Sequence, residues 1–193
     1  MARTKEFNED QVLDKAVEIF WHKGYNGTSA QDLVNHLGLS RSSLYDTFGD
    51  KQKLFVTSLK RYQKQGQDAV KELLENSENV KDAISQIFKQ AVLESLDDRI
   101  TKGCFMVNSA VELAMHEPQI EKIVIENRQI MEEVFFNAIK KGQEKGQIST
   151  KNDAQMLARF VFNNYSGIRV LARGGEKDKT VYDDILKAIF SLF

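Results

Sequence analysis

The residues of this chain best suited to recognition chemistry form a short polar run over positions 40–45. They are three serines, one arginine and one tyrosine: Ser40, Arg41, Ser42, Ser43 and Tyr45. Arginine and hydroxyl groups hydrogen-bond to base edges in the major groove and to backbone phosphates. The run predicts a short exposed helix that reads DNA, with base contacts from Arg41, Ser42 and Ser43.

Two helices and a tight turn are expected to position this run. Ser29 and Asp32 have the spacing of a capping box, which predicts a first helix over 29–36. Gly38 suits the left-handed residue that ends a helix, and Ser40 can cap the next one. Apolar residues are spaced to bury one face of this corner, namely Leu33, Leu37, Leu39, Leu44 and Phe48. The pattern is typical of a helix-turn-helix, with a further helix beginning after Asp50.

The first 55 to 60 residues also resemble a known family. The segments FWHKGYNGTS and DLVNHLGLSRSSLY, followed by F-x-x-K at Phe48 to Lys51, are similar to the DNA-binding domain of tetracycline-repressor-like (TetR) bacterial regulators. The resemblance implies phosphate contacts from Thr28, Tyr45 and Lys51. Arg3 and Lys5 form a basic N-terminal arm that would add further contacts.

Composition indicates an all-helical protein that works in a reducing compartment. The chain of 193 residues contains one proline, one cysteine and 41% hydrophobic residues. So little proline favours helices over sheets, and a single cysteine excludes an internal disulfide. Neither a signal peptide nor a membrane span is visible, which leads us to expect a cytoplasmic protein without a membrane partner. The net charge of −1 predicts modest non-specific DNA binding.

Hydrophobic periodicity predicts about nine helices in two domains. Residues 1–48 would form the DNA-binding domain and residues 49–193 an effector-binding and dimerisation domain. Outside the turn region, helices are expected over 9–22, 50–75, 80–96, 104–116, 118–141, 153–173 and 180–192. The helix beginning at Asp50 would connect the two domains and transmit effector binding to DNA.

Cys104 has two interpretations. As a small residue it can fill space in a core. Alternatively, its place after Gly103 at a helix start, beside Lys102, would favour a reactive thiolate that responds to electrophiles or oxidants. The segment TKGCFMVNSAVELA resembles one TetR branch, in which a Gly-Cys pair opens a helix of the effector domain.

Aromatic and apolar residues beyond position 100 allow an effector pocket between helices, although such residues also form ordinary cores. The predicted pocket residues are Cys104, Phe105, Asn108, Met115, Phe136, Phe162 and Tyr165. An apolar stripe near the chain end could pack internally or against a second copy, and the resemblance favours the second. The predicted interface residues are Val161, Ile168, Ile185 and Ile189. A homodimer would place two recognition helices about 34–36 Å apart, which matches successive major grooves.

Catalytic and metal-binding patterns are not found. His22, His36 and His116 are scattered, and no metal, phosphate-loop or nucleophile motif accompanies them, so we expect no cofactor. The sequence therefore predicts a homodimeric repressor that binds double-stranded operator DNA and is released by a small molecule or electrophile. Two alternatives stay open: a helical ligand- or partner-binding protein that does not bind DNA, and a small enzyme using Cys104 as nucleophile.

Overall fold

The computed structural model describes residues 7–97, 99 and 103–193. Across these residues the chain is all α-helical, as the sequence predicted. The helices are α1 (Glu9–Lys23), α2 (Ala30–Leu37), α3 (Arg41–Phe48), α4 (Lys51–Asn76), α5 (Val80–Leu96), α6 (Phe105–Leu113), α7 (Pro118–Glu144), α8 (Ala154–Arg173) and α9 (Lys179–Phe190). The predicted basic arm, Arg3 and Lys5, lies outside the described residues.

The helix boundaries follow local capping chemistry. Ser29 and Asp32 form the expected capping box at α2, and Ser40 and Asp50 accept backbone N–H groups at the starts of α3 and α4. Gly38 ends α2 in the left-handed conformation, with φ of 70°. Each cap satisfies N–H or C=O groups that the helix itself leaves open, and losing one costs about 0.5–2 kcal/mol.

Helix α6 is shorter than the sequence predicted. It ends at Leu113, whose carbonyl accepts the N–H groups of both His116 and Glu117 at 2.9 Å. This tight turn leads directly to Pro118, which occupies the first turn of α7. The chain therefore reverses direction three residues earlier than the expected end at His116.

Two hydrophobic cores organise the described residues. The first joins α1–α3 with the N-terminal half of α4, and it also includes residues of α6 and α7 such as Phe105 and Ile120. The second is built by α5, α7, α8 and α9 with the C-terminal part of α4. The first core extends beyond position 48. The DNA-binding domain is therefore attached through the contact of α1 with α6 as well as through α4.

Candidate DNA-binding surface and effector cavity

The start of α3 presents a cluster of hydroxyl groups to solvent. Ser40 Oγ accepts the backbone N–H of Ser43 at 3.1 Å, and it lies 3.0 Å from Ser42 Oγ and 2.8 Å from Ser43 Oγ. Ser40, Arg41 and Ser42 are exposed, whereas Ser43 and Tyr45 are half-buried. The guanidinium of Arg41 lies 6.0 Å from the centre of the Tyr45 ring. This geometry provides a cation, hydroxyls and a phenol on one short surface.

Buried leucines hold that surface outward. Leu33, Leu37 and Leu44 are almost completely buried, and they join α2 and α3 to the first core. Leu39 and Phe48 are partly buried against the same core. Since the opposite side of α3 is anchored in this way, its polar residues have no room to turn inward.

The prediction that the Thr28 side chain anchors a phosphate is wrong. Thr28 is completely buried, and its hydroxyl donates to the carbonyl oxygen of Gly24 at 2.6 Å. The side chain thus closes the turn between α1 and α2. A hydroxyl that is both buried and already donating cannot reach a phosphate in this conformation.

Lys51 lies at the start of α4, but its ammonium group already has a partner. Nζ lies 4.2 Å from the centre of the Tyr25 ring, in a cation–π contact. Burial lowers the pKa of Lys51, while the nearby carboxylates of Glu112 and Asp32 oppose that shift. Its phosphate contact stays a prediction.

A carboxylate of α6 forms hydrogen bonds with the turn between α1 and α2. Glu112 Oε1 accepts the backbone N–H of Asn26 at 2.7 Å, and Oε2 accepts that of Tyr25 at 3.1 Å. A second link joins Gln52 Nε2 to Glu117 Oε2 at 2.8 Å. The charge-assisted bonds of Glu112 tie α6 to the α1–α2 turn, and the bond of Glu117 ties the start of α7 to α4.

Aromatic rings extend this connection through the first core. Phe55 of α4 packs edge-to-face on Phe20 of α1 at 5.0 Å and on Phe105 of α6 at 5.4 Å. Tyr62 of α4 packs in the same way on Phe105 at 5.7 Å and on Trp21 at 5.1 Å. The rings therefore form a continuous contact between α1, α4 and α6.

A cavity that is partly open to solvent lies between α4, α6, α7 and α8, next to this aromatic chain. Its volume is about 250 Å³. Most of its wall is apolar, with polar groups at intervals: Tyr62, Gln63, Gly66, Gln67, Val70, Cys104, Met106, Val107, Ala110, Val111, Val124, Asn127, Arg128, Met131, Phe162, Tyr165, Ser166 and Arg169. A mainly apolar hollow with a few polar groups is typical of a small-molecule site.

Arg169 is the most buried cation of the cavity wall. Its guanidinium donates to Glu94 Oε2 at 2.6 Å and to the Tyr165 hydroxyl at 3.1 Å. Burial lowers the pKa of Arg169, but its contacts with Tyr165 and Glu94 outweigh that effect and raise the pKa overall. The charge is therefore retained and matched by a neighbouring carboxylate.

Cys104 contributes its thiol to the cavity wall. It is half-buried at the N-cap of α6 and has no side-chain capping bond. The Tyr62 hydroxyl donates to its Sγ at 3.7 Å. Burial raises the pKa of Tyr62, which keeps that phenol protonated and able to donate.

The structure brings together three of the seven predicted pocket residues, Cys104, Phe162 and Tyr165. Phe105 belongs instead to the first core, because its ring faces Phe55 and Tyr62. Met115 lies beyond the end of α6 and is 91% exposed.

Two more predicted pocket residues lie away from the cavity wall. Phe136 packs on the second core, with Lys140 over its ring, and Asn108 is half-buried on α6 outside the wall. These two residues, like Phe105 and Met115, therefore do not line this cavity.

The predicted dimer-interface residues also need correction. Val161, Ile168 and Ile189 are buried within the protomer's own second core, and Ile185 is half-buried against it. Val161, Ile168 and Ile189 are therefore covered by the protomer itself, whereas part of the Ile185 side chain remains accessible to a second copy. The exposed face of α8 is different and carries residues at spacings of three and four: Met156, Arg159, Asn163, Gly167 and Val170.

Three important residues were missed by the sequence reasoning. Arg169 and Gly66 line the cavity, and Glu112 holds the α1–α2 turn. A glycine in the interior of a long helix was a usable signal for Gly66, since it costs about 0.5–1 kcal/mol relative to alanine. The roles of Arg169 and Glu112 depend on partners 75 and 86–87 positions away.

Searches for other kinds of site in the described residues were negative. No helix among them has the length and apolarity to cross a membrane. Within the same residues, no group of three or more histidine, cysteine, aspartate or glutamate side chains is arranged to hold a metal ion.

Comparison with known families gives two matches. Residues 12–57 match the family described as bacterial regulatory proteins, tetR family. Residues 81–189 match the tetracyclin repressor-like C-terminal domain, which covers more than half of the chain. The two matches correspond to the helix-turn-helix with the start of α4, and to α5–α9.

Individual relatives agree with these family matches. The HTH-type transcriptional regulator YezE of Bacillus subtilis is 36% identical over 174 residues, covering 90% of each chain. The repressor ComR of Escherichia coli is 30% identical over 175 residues, covering 90% of this chain and 83% of ComR. A solved structure of the TetR family regulator CifR, a cysteine mutant with 26-bp operator DNA, superposes with a TM-score of 0.87 at 21% identity, covering 100% of both chains.

Proposed function

This chain belongs to the tetR family of bacterial regulatory proteins, and we propose that it is a homodimeric repressor controlled by a small molecule. Like its family and its relatives, it is a DNA-binding transcriptional regulator. It is not an enzyme. Operator binding would take place in the cytoplasm, where bacterial DNA is accessible. The exposed polar start of α3 is the observation on which the DNA-binding part of the proposal rests.

Each DNA contact is assigned from exposure and chemistry. Arg41 and Ser42 are exposed at the start of α3, so we assign them and Ser43 to base edges in the major groove. Tyr45, which lies next to Arg41 on α3, and Lys51, at the start of α4, are assigned to phosphates. Thr28 instead shapes the α1–α2 turn through its bond to Gly24. The CifR complex supports DNA binding by this fold, since that protein, with the same overall fold, was solved with operator DNA.

The homodimer would form through the exposed side of α8. Met156 and Val170 are 51% and 53% exposed on that side, and Gly167 lies between them along the helix. A Cβ at Gly167 would meet nothing within 4 Å in the protomer, which leaves room for a second helix to approach. Two recognition helices on one DNA duplex require this second copy. Sedimentation equilibrium should show a dimer for the native chain and a monomer for Val170→Asp.

Coupling between effector and DNA would pass through α6 as well as α4. Helix α6 provides cavity wall at Met106, Val107 and Ala110, and two residues beyond Ala110 its Glu112 accepts two backbone N–H groups of the α1–α2 turn. An effector that displaces α6 would therefore move the helix-turn-helix. A shift between two such arrangements corresponds to a coupling of about 1–3 kcal/mol.

Selection of bound duplexes from a random DNA pool tests the proposal directly. We expect enrichment of a two-fold symmetric site, and a mobility shift on that site that weakens with salt. Replacing Arg41 with Ala should weaken specific binding by about 1–3 kcal/mol and relax the preference at one base pair. Lys179→Ala, on the distant α9, is the matched loss of one cation and should leave the affinity unchanged. No enrichment would favour the alternative, a helical ligand-binding protein that does not bind DNA.

A further inference from the structure

The charged groups of the cavity wall are already compensated by the protein. Among the described residues, the charged side chains of the wall are Arg128 and Arg169. Arg169 is only 12% exposed and donates to Glu94 at 2.6 Å. Arg128, nearer to solvent, donates to Glu132 at 2.9 Å, a carboxylate whose other oxygen lies 3.7 Å from Nε of Arg159. A bound anion would therefore find neither cation without a carboxylate partner.

The remaining polar groups of the wall carry no charge. Gln63, Gln67 and Asn127 offer amides, and Ser166 and Tyr62 offer hydroxyls. Gln67 Nε2 already donates to Asn127 Oδ1 at 3.0 Å, which fixes both amides in place. Such groups hydrogen-bond to a carbonyl, amide or hydroxyl of a ligand, but they do not neutralise a carboxylate. Burying an unpaired carboxylate among them would carry a large desolvation cost.

Gly66 gives the cavity part of its width. It lies inside α4, where glycine is unfavourable relative to alanine. A Cβ built at this position would meet nothing within 4 Å, so packing does not explain the glycine. Gly66 lines the cavity and is exposed, so the missing side chain leaves the cavity open to solvent at this point of α4.

We propose that the cavity takes an uncharged, mainly apolar effector bearing a carbonyl or amide group. This inference rests on the proposed function, in which the cavity is the effector site, and it excludes fatty acids, acyl phosphates and other anions as the natural class. The Glu94–Arg169 pair acts as the selectivity element. Glu94 forms an ion pair with Arg169, whose positive charge would otherwise attract a ligand carboxylate.

Isothermal titration calorimetry with two probes of equal shape tests the ligand class. The probes are 2-naphthamide and 2-naphthoate, which differ in charge but scarcely in size. The full chain should bind naphthamide at least about tenfold more tightly, since a buried unpaired carboxylate costs well over 1.4 kcal/mol. Glu94→Gln leaves Arg169 without its carboxylate and should reduce that preference about tenfold or reverse it.

Gly66→Leu locates the binding event. Leucine keeps the helix and fills the open space, so the heat from naphthamide should disappear while the melting temperature does not fall. If Glu94→Gln does not fold, the wild-type preference and the Gly66→Leu variant still decide. Equal or tighter binding of naphthoate, no measurable binding of naphthamide, or unaltered binding to Gly66→Leu would overturn the inference.

The calorimetry is independent of DNA. If the protein binds its selected operator in the mobility-shift assay but prefers naphthoate, only the proposed ligand class is refuted. A protein that prefers naphthamide but selects no DNA would refute the regulator and leave the ligand class standing.

Discussion

The DNA-binding corner and the effector cavity are constructed in opposite ways. The corner is local: α2, its turn and α3 occupy residues 30–48, and their polar residues face outward from a leucine core. The cavity is assembled from four helices whose wall residues extend from Tyr62 to Arg169. Its cations are paired internally, whereas Arg41 points to solvent. The DNA-binding corner thus exposes a cation that a partner can contact, whereas the cations of the cavity form ion pairs within the protein.

This difference indicates how the two regions can evolve and act together. A surface made from one short segment can change its DNA preference through single substitutions. A cavity made from four helices changes shape when any of them moves, and α6 also holds the α1–α2 turn. Helix α6 is therefore the element in which the two regions meet.

The largest expected change in stability comes from removing the Phe105 ring, through which α6 joins the core that it shares with the DNA-binding corner. Phe105→Ala deletes a buried side chain from the first core, and it should lower the free energy of unfolding by about 3–5 kcal/mol. Met115→Ala is the matched control, since Met115 was assigned to the same pocket but is 91% exposed. Urea denaturation of both variants measures the difference. Similar small losses would mean that Phe105 is not a core residue and that the regions pack separately.

The carboxylate link should have the next largest effect. Glu112→Gln replaces an oxygen that accepts a backbone N–H with an amide that cannot, and it removes the charge. We expect a loss of about 1.5–3 kcal/mol in the free energy of unfolding, the usual value of hydrogen bonds to charged groups. Glu117→Gln serves as control, because Glu117 accepts a hydrogen bond from the neutral Gln52 amide and a glutamine oxygen still accepts that bond. An unchanged unfolding free energy for Glu112→Gln would show that α6 does not restrain the turn.

The same contrast explains what the sequence could predict. Caps at Ser29, Ser40 and Asp50 and the left-handed Gly38 act within a few residues, so the helix-turn-helix was predicted closely. Phe105 and Phe162 have the same side chain and both lie on helices, yet one is core and the other lines the cavity. Their roles depend on which helix faces them, and no local pattern contains that information.

The dimer-interface residues could not be distinguished from core residues in the sequence for a related reason. An apolar stripe on α8 can be covered by the protomer or by a second copy, and the sequence does not say which. Here α5 and α7 of the same chain cover Val161 and Ile168. The stripe left exposed is mixed, with Met156 and Val170 beside Asn163 and Gly167. Such a stripe has too little periodic contrast to be recognised in advance.

Cys104 tests whether the cavity can signal through its thiol. It is the only cysteine of the chain, so N-ethylmaleimide modifies one thiol. If adduct formation in the cavity wall displaces α6, operator affinity should fall by about 1–3 kcal/mol, a typical coupling energy. Cys104→Ser should bind the operator normally and ignore the reagent, as measured by mobility shift. Equal release of both proteins, or of neither, would identify Cys104 as a space-filling residue.

Gly66→Ala should give the smallest effect, and its sign separates packing from function. Alanine in the interior of α4 should raise the free energy of unfolding by about 0.5–1 kcal/mol, because the new methyl group meets no atom within 4 Å. The same methyl group narrows the cavity, so binding of naphthamide should weaken while operator binding is retained. Gly167→Ala is the control on α8, where a Cβ also has open space but lies outside the cavity wall. Calorimetry should then find the affinity for naphthamide reduced in Gly66→Ala alone. If Gly66→Ala lowered the free energy of unfolding, the glycine would be required by the protomer's own packing. It would then no longer support the view that the cavity is kept open for a ligand.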